Sequence, residues 1–236
     1  ISFFVEFNRN CVTLSNTKFE GNSIALDASP YGYNIPVKGT VLSMCGGTLD
    51  HVSISYDTTA YVSSASSMVN SYLFAMDAEI NNCDFSHNIG KIALTACSVN
   101  ATRFENNQVR VELPELDDLD EATLYLDGST ISNSFIRNNN AVAVSRQFSN
   151  TQSANTYINC QIDHNNGLAV KGHSLAYNDT FINCNICDNQ TNNMGAAWLI
   201  SGGVFHNTVV WGNRDAVNMP VHFDVDQLEA TCSFKN

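Results

Sequence analysis

The chain has 236 residues, enough for one large domain or two small ones and for a sizeable core. Only 14% of residues are charged while 44% are hydrophobic, so the solvent-facing surface must be built from neutral polar side chains, with Asn in excess. Eleven basic and twenty-three acidic residues give a net charge of −12, which argues against nucleic acid or an anionic membrane as the main partner, and no apolar window is long enough for a membrane-spanning helix.

The opening residues Ile1 to Val5 read as a strand inside a larger protein, so the chain is expected to be a mature or excised piece. A repeated motif follows, bulky apolar-x-x-Asn. Its copies end at Asn22 (from Phe19), Asn88 (Phe85), Asn107 (Phe104), Asn138 (Phe135), Asn165 (Ile162), Asn189 (Ile186) and Asn213 (Val210). Ile54 to Asp57 is a further copy with Asp for Asn. Read off the numbering from Phe85, the steps are 19, 31, 27, 24 and 24 residues, the range of stacked supersecondary units.

Two residues before the apolar position stands a small or medium side chain: Thr17, Val52, Cys83, Thr102, Asn133, Cys160, Cys184, Thr208. Positions i and i+2 of a strand share a face, so both columns point inward and the polar residue between them points to solvent. Among those intervening residues only Val209 is apolar. Each copy is then a short strand ending at a bend, where Asn tolerates a left-handed backbone and can bond local peptide groups. Stacked coil on coil, the seven Asn side chains are expected to form a ladder. Further strands are predicted at Ile92–Ala96, Ala141–Ser145 and Ala196–Ile200.

Short strands, few prolines and no amphipathic helix describe an all-β solenoid: a single-stranded right-handed parallel β-helix of about ten rungs, spanning 1–236 as one domain. The repeats, with Gly195 to Trp198 and the Asn-Cys pairs at 82–83, 159–160 and 183–184, resemble those of polymorphic outer-membrane proteins. Residues 205–213 look like the last coils of secreted right-handed β-helix proteins of the pectin-lyase-like superfamily. The resemblance implies a secreted or cell-surface location and a structural, adhesive or glycan- or protein-binding role without catalysis, within a larger surface assembly. The alternative it implies is a carbohydrate-active enzyme, a polysaccharide lyase or glycoside hydrolase.

Chemistry on such a coil should appear as a column. Arg137, His164 and Asp188 precede the bend Asn on three successive copies and could bind an anionic sugar or hold a general base, although a solvated polar edge is the simpler reading. Asp84, Arg103, Glu105 and Asp163 point outward from the strands and form the candidate ligand face, where paired carboxylates could act in glycoside hydrolysis. Asp50-His51 resembles the Asp-His strand of pectate lyases and Gly172-His173 part of a polygalacturonase motif, but the remaining signatures of both are missing. The acidic run from Glu112 to Glu121 is an insertion in one coil whose Asp117, Asp118, Asp120 and Glu121 could gather calcium; a solvated loop is favoured and no other cofactor is expected.

The single Cys184-x-x-Cys187 lacks the partners of a zinc site. Cys83, Cys160 and Cys184 share the inward column and read as buried thiols, and Cys232 with Phe234 suggests a further rung. Asn100, Asn178 and Asn189 begin glycosylation sequons; Asn189 cannot serve both as acceptor and as buried ladder residue.

Overall fold

The computed structural model describes residues 12–26, 42–61, 71–109, 122–140, 142–146, 153–167, 169–171, 179–190, 203–214, 220 and 232–235. Every strand pair among them is parallel, and no helix occurs. The chain winds as a parallel β-helix, each coil pairing with the coil before and after it. The first sheet has nine strands, from Thr13–Ser15 to Cys232–Lys235; the second has eight, from Lys18–Glu20 to Val209–Trp211; the third has six, with Leu42–Cys45 at one edge and Val170–Lys171 at the other.

One interval never varies. From the inward residue of the first sheet to that of the second is five positions in all eight coils: Leu14 to Phe19, Leu49 to Ile54, Ile80 to Phe85, Val99 to Phe104, Ile131 to Ile136, Tyr157 to Ile162, Phe181 to Ile186 and Phe205 to Val210. Between them the backbone turns through a left-handed residue, φ 50 at Asn16, 54 at His51, 54 at Asn82, 51 at Ala101, 50 at Asn133, 53 at Asn159, 53 at Asn183 and 46 at Asn207. Asn predominates because its side chain lowers the cost of positive φ. These side chains stack outside the coil: Asn159, Asn183 and Asn207 each donate Nδ2 to Oδ1 of the bend Asn one coil earlier, at 3.0, 3.2 and 3.3 Å, and Asn133 donates to Oδ1 of Asn100, just before the bend at Ala101, at 2.8 Å.

The residue after this bend points inward and, except at Val52, carries a short donor. Thr102, Ser134, Cys83, Cys160, Cys184 and Thr208 each donate to the carbonyl two residues back, and the thiols and Thr208 also reach a carbonyl of the preceding coil. The cysteines at 83, 160 and 184 are therefore buried free thiols, as expected, standing in for Ser and Thr.

A second left-handed column closes the second sheet, at Gly21, Tyr56, His87, Asn106, Asn138, His164, Asp188 and Gly212. The inward Asn ladder follows it. In each step the backbone N–H of one Asn donates to Oδ1 of the next coil's Asn, while Nδ2 donates to the carbonyl of the apolar residue one coil back. Asn22, Asn88, Asn107, Asn165, Asn189 and Asn213 occupy the predicted places. Asn138 does not: Asn139 is the ladder residue, with 1% exposure. The register pairs Phe104 with Ile136, not with Phe135, so the whole copy moves one residue; Ser134 replaces Asn133 in the inward column and Phe135 turns out to solvent.

The core is a set of stacked columns. Tyr157, Phe181 and Phe205 are fully or almost fully buried and lie nearly parallel, with ring centroids 4.6 and 5.0 Å apart. Each such side chain contributes about 1.5–3 kcal/mol by leaving water. The predicted strands near 92–96 and 141–145 are observed at Lys91–Thr95 and Val142–Arg146 in the third sheet. Cys232–Lys235 adds a strand to the first sheet, but Cys232 pairs with Gly203 and so falls at the bend between third and first sheets, outside the column of Cys83. The predicted strand Ala196–Ile200 and the acidic run with Asp117, Asp118, Asp120 and Glu121 lie outside the described residues.

Candidate binding face on the second sheet

Two outward columns define this face, residues one before and one after each inward apolar side chain. The first reads Lys18, Ser53, Asp84, Arg103, Phe135, Gln161, Asn185, Val209; the second reads Glu20, Ser55, Ser86, Glu105, Arg137, Asp163, Cys187, Trp211. Asp84, Arg103, Glu105 and Asp163 do share one face, as their strand positions required. Arg137 belongs to it too, directly between Glu105 and Asp163 in register, and not to the bend column. His164 and Asp188 are left-handed bend residues beyond the edge of the strands. The proposed triad of Arg137, His164 and Asp188 is thus not one column, because the one-residue shift at Ile136 moves Arg137 onto the strand.

The charges are largely neutralised within the face. Arg103 pairs with Asp84 one coil earlier; Arg137 Nε donates to Glu105 Oε1 at 3.0 Å, and Asn138 Nδ2 reaches the same oxygen at 3.4 Å. Lys18 pairs with Glu20 at 2.7 Å. Asp163 is buried; its Oδ2 accepts from Gln161 Nε2 and lies 3.2 Å from His164 Nδ1, while its Oδ1 has no partner. The neighbouring Cys187 thiol is pushed up by burial and by the charges of Asp163 and Asp188, so it stays protonated at neutral pH and is no activated nucleophile. No group of three metal-ligating side chains comes together among the described residues.

The apolar groups stand out against this background. The large hydrophobic side chains exposed among the described residues are Tyr56 (58%), Phe135 (38%), Val209 (54%) and Trp211 (69%), and all four lie on this sheet or its bend. Tyr56 stacks on His87 of the next coil with centroids 5.0 Å apart, and the Arg137 guanidinium lies over the Phe135 ring at 5.1 Å. Counted along the sheet, Tyr56 stands at the bend after the second strand, and Phe135 and Trp211 lie in the fifth and eighth. At about 4.8 Å per coil they stand about 14 Å apart and together span about 29 Å of the face. Sequence reasoning missed this grouping, although Val209 as the lone apolar outward residue was its visible sign.

No family model matches the chain and no curated protein matches it. Among solved structures, a trypsin-treated form of QnrB1, a plasmid-mediated fluoroquinolone resistance protein, aligns at 12% identity and TM-score 0.34, covering 92% of each chain. A second form of QnrB1 aligns at 11% identity and TM-score 0.23, covering 96% of this chain and 91% of the other. The expected role as a secreted or cell-surface adhesive β-helix, and its alternative as a polysaccharide lyase or glycoside hydrolase, are corrected: neither neighbour's name supports them, and they are set aside with the glycan ligand. The narrower kinship with the pectin-lyase-like superfamily and outer-membrane repeats is likewise not carried over. Among the described residues no helix is long and apolar enough to cross a membrane, which says nothing of β-barrels.

Proposed function

We propose that the chain is a protein-binding β-solenoid that docks a partner protein against the outward face of its second sheet. The supporting observation is that the exposed Tyr56, Phe135, Val209 and Trp211 gather on this face. Aromatic side chains dominate the energetics of protein interfaces, and a rim of internally paired charges excludes water at little cost in unpaired groups. A span of about 29 Å, by the coil spacing, also matches the dimension of a standard interface of about 800 Å² per partner.

The test is photo-crosslinking in cells that express the protein, with benzophenone side chains placed at Phe135 and Val209 of this face and at Ser98 and Thr130 of the first sheet. One protein is expected to be captured from the second sheet alone, with at least a tenfold loss on Tyr56→Ser with Trp211→Ser. Equal capture from both sheets, or none from either, would overturn the proposal.

A further inference from the structure

Asp57 holds a place that Asn holds in every other coil of the inner ladder. Its backbone N–H donates to Asn88 Oδ1 at 2.9 Å, and its Oδ1 accepts the backbone and side-chain amides of Asn22 at 2.5 and 3.0 Å. To that point Asp serves as well as Asn. The difference falls on the second terminal atom. In Asn88, Asn107, Asn139, Asn165, Asn189 and Asn213 that atom is Nδ2, and it donates to the carbonyl of Ile54, Phe85, Phe104, Ile136, Ile162 and Ile186 respectively, at 2.9 to 3.1 Å. The register gives Asp57 the carbonyl of Phe19, which pairs with Ile54. A carboxylate has no proton for it. Asp57 is 0% exposed and its Oδ2 has no partner, so an acceptor sits where the ladder requires a donor.

We propose that Asp57 is protonated in the folded protein, its Oδ2–H bonding the Phe19 carbonyl, and that ionisation on raising the pH unlatches the coil of residues 13–22 from the coil that follows.

The surroundings favour the neutral acid. Burial is the largest influence raising its pKa, opposed by the two bonds from Asn22 and reinforced by the charge of Glu20 on the preceding coil. Lys18 on that same strand is engaged by Glu20. The next coil offers the neutral amide of Asn88 inside, the exposed His87 stacked on Tyr56 outside, and Asp84 held by Arg103 on its outer face. From the third sheet comes the buried phenol of Tyr72, which bonds Asn107 Oδ1 at 3.2 Å. The coil that would open is thinly covered among the described residues: its core residues Leu14 and Phe19 are only partly buried. In a solenoid each coil is held by its neighbours alone, so a fault in one step is felt as opening at that step.

With the folded pKa raised, the contribution is whole below the usual 3.8 and is lost as pH rises through the value in the fold. Hydrogen exchange of peptides covering 13–22 is compared between wild type and Asp57→Asn at matched pH from about 4 to 8. Asn is the residue the other coils use, so the variant is expected to fold. The two proteins should be protected alike at the acid end, with the variant gaining up to about tenfold per unit as pH rises from the ordinary Asp value to the value in the fold and levelling off above it, while peptides covering 179–214 show no difference. Equal protection throughout, or better protection of wild type at neutral pH, would overturn the proposal. So would a carbon-13 titration placing the Asp57 carboxyl at or below the ordinary Asp value.

Discussion

Asn165 and Asn189 are joined twice: the backbone N–H and the side-chain amide of Asn165 both donate to Oδ1 of Asn189, at 3.0 and 2.8 Å. The side chain of Asn165 in turn satisfies the Ile136 carbonyl and accepts from Asn139, so one amide settles the polar groups of three successive coils. In a buried corner those groups have no access to water, and the ladder is a condition of folding and more than an ornament of it.

Replacing Asn165 with Ala should therefore cost about 3 kcal/mol, because the Asn139 N–H and the Ile136 carbonyl lose their partner while buried. Urea denaturation checks this. The glycosylation sequon at Asn189 gives an independent measure: with 1% exposure its amide should carry no glycan in protein recovered folded from a eukaryotic secretory host, as read by glycopeptide mass spectrometry.

The register at the fifth coil is testable by a pair of variants. Ile136→Ala should destabilise by about 2–5 kcal/mol, since Ile136 is fully buried. Phe135→Ser should stay within about 0.5 kcal/mol, because that ring lies on the surface. The reverse order would restore the alternative frame with Asn138 on the ladder.

Thiols should control the alkaline limit of stability. Burial pushes Cys83 and Cys97 up to about 11 from the usual 9.0. The unfolded chain loses these protons first, so the stabilisation is whole below pH 9, declines above it and is gone past about 11. Cys83→Thr introduces the residue that position 102 uses and should flatten that decline in a pH series of thermal unfolding curves. Native labelling at neutral pH should modify the half-buried Cys45 and Cys187 well before Cys83, Cys97, Cys160 and Cys184.

Glycines at the second bend should differ in tolerance. Gly212 has φ +69 and a Cβ there would meet Asp188 Oδ1 at 2.2 Å, whereas at Gly21, φ +68, it would meet nothing within 4 Å. Gly212→Ala should lower the thermal midpoint by several degrees, as expected for about 1 kcal/mol or more, and Gly21→Asn should leave it nearly unchanged because Asn106 and Asn138 adopt the same conformation.

The coiled fold was legible in the sequence because inward residues recur at fixed offsets, and Phe85, Phe104 and Ile162 with their Asn partners mark those offsets without ambiguity. The fifth coil was not, since Phe135 and Ile136 are both apolar and 138–140 are all Asn, so either frame satisfies the motif. What decides it is Ser134, whose hydroxyl bonds the Ser132 carbonyl as Thr102 bonds that of Asn100, a corner chemistry visible only once the bend is built. The outer Asn column at 133, 159, 183 and 207 was legible in part, as the Asn-Cys pairs at 159–160 and 183–184, but not as a column of left-handed bends. The ion pairs that cross between coils of the second sheet, Asp84 with Arg103 and Glu105 with Arg137, join residues 19 and 32 positions apart, distances that no local pattern encodes.

The corner with its constant five-position interval divides each coil into a part that cannot change length and a part that can. Successive ladder residues stand 35, 31, 19, 32, 26, 24 and 24 apart, and all of that variation falls between each ladder residue and the first-sheet strand that follows it. Deleting one residue between Leu14 and Phe19 or their equivalents would throw every later side chain of that strand to the wrong face. A segment of a dozen residues added between a ladder residue and the next first-sheet strand would leave the fixed corner spacing intact, so this interval is where new sequence can be grafted during evolution or in the laboratory.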